Sequence, residues 1–133
     1  MSGAAPFAQV IGDPISHSKS PLIHGFWLAK LSLNAEYAME HITPDGLAGY
    51  LTAMRQNPDW RGCNVTMPHK QSIIALMDSL DPLVERVGAM NTVTKQADGS
   101  LRGFNTDVPG FLEPLSEALA EKHLFRMARI LGT

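Results

Sequence analysis

Short apolar runs that stop at glycine, proline or aspartate alternate along this chain with segments whose apolar residues recur at helical spacing. That alternation restricts the fold more than any other feature. Ala8-Gln9-Val10-Ile11, ended by Gly12-Asp13-Pro14, reads as a strand followed by a loop. From Leu22 to Leu31 the residues Leu22, Phe26 and Ala29 fall on a helical stripe, with Pro21 at a helix start where its missing N–H costs nothing. Ala35–Met39 suggests a second strand, and Thr43-Pro44-Asp45 opens a helix carrying Leu47, Leu51 and Met54 on one side. A third strand fits Gly62–Val65, a short helix is expected from Pro68, and another apolar segment from Pro82 to Val87 closes at Gly88. Asn91–Lys95 and Leu101–Phe104 then form a hairpin around Asp98-Gly99. A single helix is predicted from Val108 to about Phe125, with Phe111, Leu112, Leu115 and Leu119 on its apolar stripe. The chain turns apolar once more at Ile130-Leu131-Gly132-Thr133. Strands alternating with helices in this way predict an α/β fold, a mainly parallel sheet flanked by helices with an antiparallel hairpin near one edge.

A length of 133 residues, 44% of them hydrophobic, is enough for one compact domain with its own core. Eleven Lys+Arg against thirteen Asp+Glu leave a net charge of -2 and no basic run that could neutralise a row of phosphates, which argues against nucleic acid and anionic membranes as partners. Cys63 stands alone and fits a reducing compartment, so a cytoplasmic protein is expected. The amino terminus lacks the pattern of a secretory signal, and no apolar run is long enough to span a membrane. The five histidines show no metal-ligand spacing, and the seven methionines read as core filler.

Lys70 is the oddest placement. In the first turn of a helix starting at Pro68 it would face a dipole that repels a cation by roughly 0.3–1 kcal/mol, and positions that break local rules are enriched for function. It is therefore a candidate for proton transfer, against the plainer reading of a lysine pointing into water. Asp107, just ahead of the long predicted helix, is either a cap for its first N–H groups or a partner for Lys70. Ser20 before proline suits an N-cap, while Ser18 has no such role. Alternate residues of an extended loop face one way, so Ser18 and Ser20 can offer two hydroxyls to a small carboxylate, with Ser16 as a third candidate. Asn64 and Thr66 share one side at the end of a predicted strand, where ligands of open α/β sheets collect. Asn91 begins another extended run, and amides and hydroxyls suit a ligand with several OH groups, although turn-making explains them equally well.

Four motifs taken in order, Ile11-Gly12-Asp13-Pro14-Ile15-Ser16-His17-Ser18-Lys19-Ser20-Pro21, Asn64-Val65-Thr66-Met67-Pro68-His69-Lys70, Gly88-Ala89-Met90-Asn91-Thr92-Val93 and Gly103-Phe104-Asn105-Thr106-Asp107, resemble the shikimate and quinate dehydrogenase family. The resemblance runs from about Val10 to Thr133 and covers the front half of a family member. It implies a substrate-binding catalytic domain over residues 1–107, a connecting helix over 108–127 and the start of a dinucleotide-binding domain over 128–133, with Gly132 as the first glycine of its phosphate-binding motif. It further implies that Ser18 and Ser20 hold the substrate carboxylate, that Asn64, Thr66, Asn91 and Asp107 contact ring hydroxyls, and that Lys70 transfers the proton, positioned by Asp107. The reaction implied is the reversible reduction of 3-dehydroshikimate to shikimate with NADP, or alternatively NAD, bound by a following domain. On that reading the 133 residues alone do not turn over. A quinate or aminoshikimate dehydrogenase, and a non-catalytic binding module for cyclic hydroxy acids, are the alternatives, and a homodimer is one possible assembly. His69 stands where the family commonly has phenylalanine, and Met67 and Met90 replace branched aliphatics. These departures leave substrate choice open, although the Ser18-x-Ser20 pair looks more like the shikimate users.

Overall fold

The computed structural model describes residues 3–121, 127 and 129–131. Six strands, β1 (Phe7–Gly12), β2 (Glu36–His41), β3 (Trp60–Val65), β4 (Ser79–Leu80), β5 (Thr92–Lys95) and β6 (Leu101–Phe104), make one sheet in the order β2-β1-β3-β5-β6-β4. Three of its five pairings, β1 with β2, β1 with β3 and β4 with β6, are parallel, while β5 runs antiparallel to both neighbours. The sheet is therefore mixed and mainly parallel, with the expected hairpin toward one edge. Strand β4 was not foreseen, because two residues carry no alternation to detect.

Helices α1 (Ser20–Lys30), α2 (Leu47–Gln56), α3 (Pro82–Val87), α4 (Asp107–Leu112) and α5 (Ser116–Ala120) complete the described fold. The start of α2 is built as its sequence suggests: Thr43 Oγ1 accepts the Gly46 N–H at 3.3 Å, and Pro44 opens a 3₁₀ turn over Pro44–Gly46. Asp81 caps α3 through the Leu83 N–H at 3.0 Å, and Gly88 ends it in the left-handed conformation at φ 74°.

One face of the sheet carries the core. Ile11, Cys63, Val65, Val93 and Leu101 pack with Leu47 and Leu51 of α2, Ile73 and Val84 into a single buried cluster. Gly62 lets β3 and β5 approach closely, since a Cβ there would stand 2.1 Å from the Val93 carbonyl oxygen and its φ of 152° suits glycine. The opposite face carries Ala8, Val10, Tyr37, Asn64 and Thr92, which the strand register brings to one side. Helix α1 lies over part of this face, with His24 stacked on Tyr37.

Several local expectations are overturned. No helix begins at Pro68; the Met67–Pro68 peptide is cis, the chain turns there, and a 3₁₀ helix starts only at Ser72. Proline at a turn and proline at a helix start look alike in sequence. The single helix expected from Val108 is instead α4, a 3₁₀ turn over Glu113–Leu115, and α5, because Pro114 lacks an N–H and its ring crowds the preceding turn. Residues 122–126 of that expectation lie outside the described residues. Helix α1 turns Pro21, His24 and Leu28 toward the protein, while Leu22 and Phe26 of the expected stripe are exposed. Met90 fills the core, but Met39, Met67 and Met127 are exposed. Residues 129–131 form no strand, and Gly132 lies outside the described residues.

A candidate active site at the carboxyl edge of the sheet

Strand β3 ends at Val65, and the turn that follows carries Lys70, whose carbonyl accepts the Met90 N–H at 2.9 Å. Without a helix starting at Pro68, the opposing helix dipole expected for Lys70 does not act. What Lys70 has instead is a partner: its Nζ donates to Asp107 Oδ2 at 2.5 Å, across 37 residues of sequence. The two side chains are 35% and 53% exposed, so the pair contributes the roughly 0.2–1 kcal/mol of a solvent-screened ion pair and not the roughly 4 kcal/mol of a sheltered one. Its importance is positional.

Asp107 is free to make that contact because another residue caps α4. Asn105, buried, accepts the Val108 N–H at 3.0 Å through Oδ1 and donates from Nδ2 to the Ala89 carbonyl at 3.0 Å. The second Asp107 oxygen, Oδ1, accepts from Asn91 Nδ2 at 3.1 Å. Asn91 Oδ1 in turn accepts the Thr106 N–H at 2.8 Å, tying the start of β5 to the loop before α4.

Ser20 does not cap α1; it is the first helical residue, and no side chain caps the preceding Lys19 position. Ser18 Oγ accepts the Ser20 N–H at 3.3 Å, so the local backbone contact is made two residues upstream and both hydroxyls remain beside a cleft. This cleft, about 310 Å³, is lined by Ser18, Ser20, Asn64, Thr66, Lys70, Asn91 and Asp107, together with His17 and His24. All the residues singled out in the sequence for substrate contact border it, with one exception. Ser16 does not.

A larger cleft of about 520 Å³, with mostly apolar walls, lies between α1 and the sheet and shares His24 and Asn64 with the first. The smaller one is the candidate site, since it alone contains an ammonium, a carboxylate and converging neutral donors.

Three side chains at this site, His17, His24 and Tyr37, escaped sequence reasoning. His24 follows Ser20 by one helical turn, a spacing that could have flagged it. Its ring stacks on Tyr37 with centroids 4.0 Å apart and planes 9° from parallel, and burial holds its pKa below the ordinary histidine value. Tyr37 donates to Asn64 Oδ1 at 2.7 Å. Burial first, and then the neighbouring Cys63, pushes the Tyr37 hydroxyl up to about 12, so Tyr37 remains a donor at neutral pH. No sequence signal marked Tyr37.

The three departures from the family pattern lie away from the cleft. His69 is fully buried and directed into the core, with Nε2 2.6 Å from the Ile42 carbonyl oxygen and no partner for Nδ1. Met90 is buried against Gly103, where a Cβ would meet its sulfur at 2.6 Å, and Met67 is exposed. None of the three lines the candidate site. Cys63 is buried and its thiol is pushed up to about 12 by that burial, which leaves no reactive thiolate. Among the described residues no three metal-ligating side chains converge, and no helix is long and apolar enough to cross a membrane. Nor do the described residues form a strand, glycine-rich loop and helix able to cradle a dinucleotide.

A cleft that couples an ammonium–carboxylate pair to hydroxyls and amides can hold a small polyhydroxylated acid and exchange a proton with it. Comparison with known proteins agrees. The family described as shikimate dehydrogenase substrate binding domain matches residues 10–93. A shikimate dehydrogenase (NADP(+)) of Sphingopyxis alaskensis is 54% identical over 114 residues, which cover 86% of this chain and 42% of that protein. A shikimate 5-dehydrogenase from Thermus thermophilus, solved in complex with NADP(H) and shikimate, superposes with a TM-score of 0.78 at 41% identity over 85% of this chain and 42% of its own. Shikimate dehydrogenase from Aquifex aeolicus gives a TM-score of 0.82 at 33% identity, over 91% and 45%. The chain thus spans less than half the length of these relatives.

Proposed function

The chain belongs to the shikimate dehydrogenase substrate-binding-domain family, and from that membership we propose that it is the substrate-binding half of an NADP-dependent shikimate dehydrogenase. Residues 1–107 form the substrate domain in this reading, 108–127 the connection, and 128–133 the start of a nucleotide-binding domain. The carrying observation is the 2.5 Å contact of Lys70 with Asp107 in a cleft that also gathers the hydroxyls of Ser18, Ser20 and Thr66 and the amides of Asn64 and Asn91.

Ser18 and Ser20 bind the substrate carboxylate, and Asn64, Thr66, Asn91 and Asp107 receive the ring hydroxyls. The nicotinamide, held by the remainder of the protein, supplies the hydride when bound. As the ketone oxygen gains negative charge, the Lys70 ammonium stabilises it and donates a proton, and Asp107 keeps Nζ aimed at that oxygen. The hydroxyls and amides elsewhere in the cleft match the alcohols.

The test is Lys70→Ala in the protein complete with its nucleotide-binding remainder. Turnover of shikimate with NADP is expected to fall by roughly 10²–10⁴ while shikimate affinity changes far less. An unchanged rate removes Lys70 from the mechanism. Assays with quinate and with NAD set the substrate and cofactor preference.

A further inference from the structure

We propose that Tyr37 is a positioning residue of this site: its hydroxyl pins the Asn64 amide in one orientation and so decides which hydrogen-bonding polarity Asn64 presents to a substrate. The inference rests on the functional reading above and extends it to a residue that touches neither Lys70 nor Asp107.

Tyr37 lies on the edge strand β2, and β1 separates it from β3. Tyr37 and Ala8 share a register row, as do Val10 and Asn64, so the phenol passes over β1 on the face away from the core and reaches Asn64. Its hydroxyl donates to Asn64 Oδ1 at 2.7 Å. On the other side of the amide, Asn64 Nδ2 lies 3.1 Å from Thr92 Oγ1 and 3.5 Å from the Asn91 carbonyl oxygen. A carbonyl can only accept, so that side favours the NH₂ group, weakly at 3.5 Å, and the Tyr37 donor at 2.7 Å secures the orientation by meeting the amide oxygen. Both ends of Asn64 are specified.

The donation continues in one direction. Thr92 Oγ1 donates to Asn91 Oδ1 at 3.2 Å, and Asn91 Nδ2 donates to Asp107 Oδ1 at 3.1 Å. Tyr37 is therefore the first donor of a chain that ends on the carboxylate holding Lys70, and successive hydrogen bonds of the same sense polarise one another. His24, stacked on the phenol, limits its movement. Without the Tyr37 hydroxyl, the Asn64 oxygen loses its donor, and only the long 3.5 Å contact with the Asn91 carbonyl still opposes a turned amide, since Thr92 Oγ1 can donate as well as accept; a substrate hydroxyl then meets a less defined polarity. Discrimination among polyols depends on such matching.

The experiment compares shikimate kinetics of Tyr37→Phe, Asn64→Ala and the double variant in the protein complete with its nucleotide-binding remainder, with melting temperatures alongside. Phenylalanine keeps the ring stacked on His24, and Tyr37→Phe is expected to raise the KM for shikimate about five- to tenfold, the size of one hydrogen bond, with a much smaller change in kcat. Because Tyr37 acts through Asn64, adding Tyr37→Phe to Asn64→Ala is expected to raise KM no further. An unaltered KM in Tyr37→Phe, or effects that simply multiply in the double variant, overturns the assignment while leaving the dehydrogenase reading intact. A wild-type protein that does not turn over shikimate overturns that reading and this one with it. Should Tyr37→Phe melt early, calorimetric titration of shikimate below its melting point makes the same comparison through the dissociation constant.

Discussion

The side chains of this cleft do two separable jobs, and Asp107 illustrates the division best. It sits at the start of α4, yet Asn105 supplies the cap, so the Asp107 carboxylate is spent on Lys70 and Asn91. Its removal should therefore harm chemistry more than folding. In the complete protein, Asp107→Asn is expected to lower turnover about 10- to 100-fold through loss of the charge that orients Nζ, while the melting temperature drops by no more than about 4 °C, as for an exposed ion pair. A large fall in melting temperature with near-normal turnover would make the pair structural. His69 teaches the converse lesson. It adjoins Lys70 in sequence but points into the core, so chain adjacency to a reactive residue says little about access to its cleft.

At the scale of elements, the weakest strand is secured by one carboxylate. Strand β4 has only two residues, and the Asp78 that precedes it exchanges hydrogen bonds with Leu101 of β6: the Asp78 N–H donates to the Leu101 carbonyl at 2.9 Å, and Asp78 Oδ2 accepts the Leu101 N–H at 2.7 Å. Arg55 of α2 donates to the same oxygen at 2.6 Å, so a helix and two strands meet at this side chain. The Leu101 N–H first, and Arg55 second, hold the Asp78 pKa below its ordinary value of 3.8. A carboxylate with a lowered folded pKa stabilises the fold above the unfolded value, and that contribution disappears as pH falls through the folded value. Asp78→Asn is accordingly expected to lower the urea midpoint at neutral pH, with the gap to wild type closing below about pH 3.8. A gap that stays constant across that range would show that the Asp78 charge contributes nothing.

On the scale of the whole molecule, the two faces of the sheet are covered unequally. The core face is closed by α2, α3 and the 3₁₀ helix, whereas α1 leaves Leu22, Phe26, Trp27 and Leu31 between 51% and 74% exposed, and the α4–α5 segment exposes Phe111. So many large apolar side chains exposed at once are unusual on an isolated domain. The 133-residue chain by itself is expected to bind a hydrophobic dye and to associate with rising concentration in sedimentation, and Phe26→Ser with Leu31→Ser should reduce both. A monomer that binds no dye at any concentration would contradict this. What the sequence determined by itself was local: five of the six strands, the proline opening ahead of α2, the glycine end of α3, the hairpin and most of the polar residues that border the cleft were legible, because periodicity, proline, glycine and capping act over a few neighbouring residues. The inward face of α1, the break at Pro114 and the absence of a helix at Pro68 were not, since each local pattern admits two structures and packing chooses between them. Tertiary structure alone decided that Asn105 would cap α4, that Tyr37 would reach Asn64 across β1, and that His69 would turn away from the site. Those outcomes depend on strand order and on contacts between residues far apart in the chain, 27 positions for Tyr37 and Asn64 and 37 for Lys70 and Asp107, a distance over which no local propensity carries information.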